Sequence, residues 1–294
     1  MKSARVSSGA VTAAALVVFL LVATPAYARA GARTSTTAGN DISYPQCGKP
    51  YPSGQAFGIV GLNGGLANNN NACFASEYSW AQRSSGLGGQ PAASVYVNTG
   101  NPSGAGPVWW PTSNTFYDAP DGTDSNTPFT GSTQVTVPVP SYGACTATND
   151  AGCSYVYGWA KAYEDFNHRS VAAPASVPWW LDVETSNSWE TPGTTYPTAY
   201  ASNVADLKAM IDYFTSQGAH VGIYSTGYQW GQITGGTLSS GTADPFAGVP
   251  NWVAGASSST ATRYCSNSSN FTYASKVTLV QYVSGRLDYD ISCP

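Results

Sequence analysis

The feature that most constrains this chain is a set of short strand-like runs, several of them apolar with little inside–outside alternation. They cover residues 40–44, 57–62, 93–98, 179–183, 220–225, 251–255 and 277–283. A strand with one wet face alternates apolar and polar side chains, and a strand covered on both faces does not. The runs therefore predict a parallel sheet with helices packed on it. Helical periodicity lies between several of them. Over 197–217, Val204, Leu207, Ile211 and Phe214 form one stripe, and Gly218 is placed to stop the helix. A second helix is expected over 155–166, with Tyr155, Trp159, Ala162 and Phe166 on one side, and a third over 73–82. Strand–helix–strand order of this kind gives an α/β fold whose sheet is open or closed into a barrel. After Ser225 the strands are separated by too little helix for a regular eightfold unit.

Residues 100–152 break this rhythm. They are rich in Pro, Gly, Ser and Thr and contain Trp109-Trp110. They read as a long ordered loop insertion between a strand and a helix, lying over one end of the sheet.

The N-terminus reads as an export signal. Lys2 and Arg5 precede an apolar run through Val11, Leu16, Val17, Val18, Phe19, Leu20, Leu21 and Val22, and Pro25 then leads into Ala26-Tyr27-Ala28. That is a charged region, an apolar region and a small-residue cleavage site in order. A membrane anchor is the competing reading, but the uninterrupted apolar core falls short of the ~20 residues that span a bilayer. Residues 1–28 are thus expected to be a signal peptide, 29–38 a flexible leader and 39–294 a single domain. The mature protein is expected to be secreted and extracellular, with no stable membrane insertion after cleavage, and to be a monomer.

Six cysteines suit that destination: Cys47, Cys73, Cys145, Cys153, Cys265 and Cys293. An even number in an exported chain predicts disulfides, with fifteen pairings open in principle. The short interval from Cys145 to Cys153 suggests one bridge. Cys265 with Cys293 would clip the C-terminal segment, which leaves Cys47 with Cys73. Neither His168 nor His220 sits near a closely spaced cysteine pair, so no metal site is expected.

Composition narrows the partners. The formal charge is −4, and losing Lys2 and Arg5 makes it more negative still. Nothing here tracks a phosphate backbone, so no nucleic acid is expected. Charged residues are only 10% of the chain, while Gly and Tyr number 31 and 19. A neutral-polar, aromatic surface suits carbohydrate, because sugars stack on rings and share hydrogen bonds with hydroxyls and amides.

The acids carry the chemistry. Asp41 stands in the first run, and Asp182 and Glu184 end the fourth within Trp179-Trp180-Leu181-Asp182-Val183-Glu184. Asp288 and Asp290 follow the last run, beyond Gln281-Tyr282-Val283. Residues two apart in a strand share a face, about 6.6–6.8 Å apart along the chain, so Asp182 and Glu184 should enter one cleft. Breaking a glycosidic bond needs a protonated carboxyl for the leaving oxygen and an ionised one for the developing cation. Crowded burial of several carboxyls supplies both states, since one pKa rises. The plain alternative for any single strand-end acid is a helix cap or an arginine partner. Among the aromatics, Trp109, Trp110, Trp179, Trp180, Trp189, Tyr224 and Trp252 are candidate sugar platforms, with Trp180 and Trp252 better placed as core. No G-x-S-x-G elbow, H-E-x-x-H pair or phosphate-binding glycine loop is present, and the glycines over 61–65 read as a turn.

Taken in order, these segments resemble glycoside hydrolase family 25, the lysozyme-type muramidases. Asp41-Ile42-Ser43-Tyr44-Pro45-Gln46 is similar to that family's opening D-V-S-x-x-Q, and Leu181-Asp182-Val183-Glu184 to its central D-x-E strand. Gly222-Ile223-Tyr224-Ser225 and Asn251-Trp252-Val253-Ala254 resemble its later strands. Gln281-Tyr282 with Asp288 resembles its closing W-Q-Y…V-D segment, with Val280 in place of the Trp and Asp290 where the family often has Asn. The resemblance implies an irregular TIM-like β/α barrel with a long inserted loop. It implies Glu184 as general acid, Asp182 as the group that orients or stabilises the reacting centre, and Asp41 and Asp288 as further acids of the pocket. Tyr44, Gln46, Tyr224, Gln281, Asp290, Trp109 and Trp110 are the expected substrate contacts. The implied substrate is a polysaccharide, peptidoglycan or a related glycan, cut without a cofactor. A catalytically silent barrel that binds extracellular polysaccharide, or a hydrolase of another polymer, is the alternative.

Overall fold

A computed structural model describes residues 37–103, 108–191, 198–236 and 244–294. The expected signal peptide, all but the last residues of the leader, residues 104–107 of the insertion and Pro197 lie outside the described residues. In chain order the structure runs β1 (Ala38–Ile42), β2 (Gly58–Gly61), α1 (Phe74–Gln82) and β3 (Ala93–Asn98). The insertion follows, with β4 (Thr115–Asp118), β5 (Asp124–Ser125) and β6 (Thr133–Thr136). The chain continues through α2 (Ala151–His168), β7 (Trp179–Asp182), α3 (Ala199–Ser216), β8 (Val221–Ser225) and α4 (Gly227–Thr234). It ends with β9 (Asn251–Ala256), β10 (Val277–Ser284) and β11 (Leu287–Ser292).

Eight strands close into a barrel in the order β1-β11-β10-β9-β8-β7-β3-β2. Neighbours are parallel throughout, except that β11 runs antiparallel to both β1 and β10. This is the irregular α/β barrel that the sequence predicts.

Most of the barrel strands are apolar on both faces, which is why several of the runs do not alternate. Outward, Val95, Val97, Trp179, Leu181, Val183, Ile223, Val253 and Val280 share one core with Leu207, Met210, Ile211 and Phe214 of α3. Inward, Phe57, Ile59, Trp180, Trp252 and Leu279 fill part of the barrel lumen. These large rings need room from neighbouring strands. A Cβ on Gly222 would stand 2.3 Å from the Trp180 ring, and one on Gly39 would stand 2.2 Å from Phe57. The glycines are the counterparts that let the lumen pack to normal density.

Two expectations need correction. Asp288 and Asp290 do not trail the last strand but lie on β11, the eighth strand of the barrel. Its sequence Leu287-Asp288-Tyr289-Asp290-Ile291 alternates strictly, with acids where an apolar lumen would be expected, so it does not read as a barrel strand. The insertion, expected as a long ordered loop over one end of the sheet, has strands of its own and packs on helices. It holds a three-stranded antiparallel sheet, β5-β4-β6. Phe116 and Val137 there pack on Val156 and Ala160 of α2 and on Ala205 and Ala209 of α3. The physical reason is the second apolar face of α2, which the insertion covers.

Charge reinforces that contact. Across it, Lys161 of α2 pairs with Asp124 of β5 at 3.0 Å and the His168 ring hydrogen-bonds Asp118 of β4 at 2.9 Å, while Lys161 and Arg169 pair with Glu164, and Arg169 with Asp165, inside the end of the helix. The helix also starts earlier than its periodicity suggests, because Asp150 caps it and accepts from the Cys153 backbone N–H at 2.8 Å. The short α4, capped by Thr226, was not expected. All three expected disulfides form: Cys47–Cys73, Cys145–Cys153 and Cys265–Cys293. Among the described residues no helix is long and apolar enough to cross a membrane.

Candidate active site

The lumen changes character along its length. The layer of Phe57, Ile59, Trp180, Trp252 and Leu279 is apolar, and above it the strand ends present acids. There a cavity of about 320 Å³ is lined by Asp41, Tyr96, Asp182, Glu184, Tyr224, Trp252, Gln281, Val283 and Asp288. Its size is at the lower end of small-ligand sites, roughly 300–1,000 Å³. A larger hollow of about 410 Å³ lies at the opposite ends of the strands, around Trp179, His220 and Pro250, and holds none of the candidate acids.

Register explains how distant residues meet. Asp182 of β7 stands opposite Asn98 of β3 on one side and Tyr224 of β8 on the other. Asp41 of β1 stands opposite Asp288 of β11. Glu184 follows Asp182 by two residues and keeps to the same face. The four acids expected to do chemistry are thus brought to one cavity by three separate segments of chain.

Their hydrogen bonds differ. Asn98 Nδ2 donates to Asp182 Oδ2 at 2.7 Å, while Asp182 Oδ1 is buried with no partner. The Asp182 backbone carbonyl accepts from Thr99 Oγ1 at 2.6 Å and from Asn187 Nδ2 at 3.2 Å. Gln281 Nε2 donates to Asp41 Oδ2 at 3.0 Å, and Gln281 Oε1 accepts from the Tyr224 hydroxyl at 2.8 Å. Trp189 Nε1 donates to the Glu184 carbonyl at 2.8 Å and fixes the backbone just past β7. Gln229 of α4 accepts from the Thr185 backbone N–H at 2.7 Å.

Burial and mutual repulsion push every one of these acids upward. Asp41 rises to about 7, from burial first and then from the charge of Asp288, against the hydrogen bond from Gln281. Asp182 is held well above the usual carboxylate range by burial, with Glu184 and Asp41 adding to it. Glu184, half-buried, is raised by burial and by Asp288, while Gln229 pulls it back. Asp288 is raised by burial. Asp290 is fully buried and is raised well above the usual range by burial and then by Asp41. Carboxyls crowded in this way keep their protons to higher pH than free ones, which is the condition for general acid work.

The expected contact residues divide. Tyr224 and Gln281 line the cavity. Asp290 sits opposite Gln281 and Gly39, next to Asp41, and is closed off from solvent. Tyr44 is exposed on a short turn after β1, and Gln46 Oε1 accepts from the Ser43 backbone N–H at 3.0 Å, so both stand outside the described lining. Trp109 and Trp110 stack on Tyr157 of α2, in the insertion, and the lining does not include them. Trp180 and Trp252 are core as expected, and Trp252 also forms part of the cavity wall. Sequence reasoning missed Tyr96, Asn98 and Gln229. The first two share the inward face of β3, a signal available only once β3 is paired with β7.

Residues 160–270 match the family model described as Lys-1, lysozyme-like protein 1. The match includes Asp182, Glu184 and Tyr224 and leaves out Asp41 and Asp288. It is a likeness to a lysozyme-like family and does not single out glycoside hydrolase family 25. Comparison with curated proteins and with solved structures gives no significant match.

Proposed function

We propose that this protein is a secreted glycoside hydrolase that cuts a cell-wall glycan of the peptidoglycan type, with residues 39–294 as its single barrel domain. The observation that carries the reading is the convergence of Asp41, Asp182, Glu184 and Asp288 on one open cavity at the strand ends. Active sites of β/α barrels are built at that end. Export fits the same reading, since polymers are the substrates met outside a cell and the three disulfides suit an oxidising place.

Glu184 is the general acid. It is less buried than Asp182, its carboxyl is raised, and its proton goes to the glycosidic oxygen as the bond from the anomeric carbon breaks. Asp182 lies deeper, with Oδ2 fixed by Asn98 and Oδ1 left for the substrate. On an N-acetylated sugar, Oδ1 would hold the acetamido N–H while the acetamido oxygen bonds the anomeric carbon. Water then opens that ring and returns a proton to Glu184. Asp41 and Asp288 repel each other, and the one of the pair left ionised supplies negative potential to the developing cation.

The test is incubation of wild-type protein and Glu184→Gln with purified peptidoglycan, N-acetylglucosamine oligomers and other wall glycans. New reducing ends from the wild type alone are expected. Equal inactivity of both proteins on the whole panel overturns the hydrolase reading in favour of a glycan-binding barrel.

A further inference from the structure

Behind the acid cavity stands a further carboxyl that no step above uses. Asp290 of β11 is shut off from solvent, and neither of its oxygens meets a donor in good hydrogen-bond geometry. Among the described residues no ion pair reaches Asp290 or Asp41. A carboxylate buried bare in this way is so costly that the group takes up a proton instead.

Its surroundings show where that proton points. Asp290 stands opposite Gly39 of β1, which brings no side chain, and opposite Gln281 of β10. The Gln281 amide is already engaged, donating to Asp41 Oδ2 at 3.0 Å and accepting from the Tyr224 hydroxyl at 2.8 Å. The Trp252 indole N–H of β9 leans toward Asp290 without reaching good geometry. Asp288 on the same strand, Tyr224 of β8 and Tyr282 of β10 bring no positive charge to it. The Asp41 carboxyl remains, within hydrogen-bonding reach of Asp290. Two carboxylates at that range repel, whereas a carboxylic acid beside a carboxylate donates to it. Asp41 is the better anion of the two. It borders the open cavity and accepts from Gln281, while Asp290 has neither solvent nor an amide donor.

We infer that Asp290 works as a neutral carboxylic acid whose O–H donates to Asp41, a positioning residue that keeps Asp41 the ionised member of the pair and holds its carboxylate toward the cavity. The use made of Asp41 rests on the hydrolase reading above. The place of the proton does not.

The test compares the full wild-type chain with Asp290→Asn, which keeps the shape and a donor but has no acid proton. Infrared difference spectra at about pH 8 should show one more protonated-carboxyl band in the wild type. A difference in carboxylate bands instead overturns the inference. Urea unfolding gives a second readout. An Asp290 that is protonated when folded and ionised when unfolded makes wild-type stability fall, relative to the Asn variant, as pH rises from about 5 to about 8. A gap between the two proteins that stays constant or moves the other way overturns it as well. Asp290→Leu removes the donor. On a responsive glycan the acid limb of kcat/KM should move up by about one pH unit with Leu, the scale of one lost hydrogen bond to a charged group, and less with Asn. Equal shifts in both variants overturn the positioning role. The spectra and the unfolding curves need only the Asn variant, so a Leu variant that fails to fold leaves the test intact. Wild type that releases no reducing ends fails the hydrolase reading alone, and the spectra still decide where the proton sits.

Discussion

Asn98 and Asp182 face each other across the β3–β7 register, and the Asn98 amide holds one carboxyl oxygen of Asp182 at 2.7 Å while the other stays buried and unpaired. A carboxyl fixed at one oxygen presents the other in a defined direction. That turns a strand-end acid into a positioned one.

Asn98→Ala removes that anchor without touching Glu184. The substitution leaves a second buried oxygen unpaired, which should cost about 1–3 kcal/mol of stability. Catalysis on the responsive glycan should fall about tenfold or more, the rate equivalent of one lost orienting hydrogen bond. Chemical denaturation and steady-state kinetics of the same preparation check both numbers.

Asp288→Asn removes a negative charge that raises both Glu184 and Asp41. Both carboxyls should then ionise at lower pH. Because the general acid works protonated, the alkaline limb of the kcat/KM profile should move toward lower pH. A limb that stays in place, or moves up, would contradict the assignment of Glu184 as acid.

Stability should rise on mild acidification. Asp41, Asp165 and Glu190 are lifted to about 7 and Asp124 to about 6, chiefly by burial. Free carboxylates in an unfolded chain titrate near 4, so the native state binds more protons between those values. Stability then falls as pH rises from about 4 toward 7, the reverse of the pattern for salt-bridged acids with depressed values. Thermal unfolding midpoints should be higher at about pH 5 than at about pH 8.

Lys161→Met should loosen the insertion. Lys161 is nearly buried, and its removal strands Asp124, which has no other hydrogen-bond partner of good geometry. Breaking one side of such a pair costs about 3–5 kcal/mol, whereas replacing both sides with apolar groups is often neutral. Lys161→Met combined with Asp124→Leu should therefore recover most of the loss, as read by urea unfolding.

Much of the barrel was legible because most of its strands are apolar on both faces, and that pattern survives without knowledge of partners. The acid pair in Trp-Trp-Leu-Asp-Val-Glu was legible for a related reason, since period-two spacing fixes a shared face. β11 was not, because its inward residues are Asp288 and Asp290, polar groups that make sense only inside a site. Asn98 was hidden likewise, as its role comes from the register with β7. That Trp109 and Trp110 stack on Tyr157 of α2 was not legible, because nothing local says that the second face of α2 needs a cover. The disulfides were readable from spacing, which the close approach of their chain segments bears out.

The seam of the barrel has a consequence for when the molecule becomes competent. Asp41 belongs to the first barrel strand and Asp288 to the last, and the two strands meet only when the cylinder shuts. A growing chain that has made β1 through β10 already carries Asp41, Asp182 and Glu184, yet Asp41 has no opposite number. The site is thus a closure sensor. It is assembled by the final strand added, and a chain cut short of Leu287 would be left unarmed, whatever the quality of the rest of its fold.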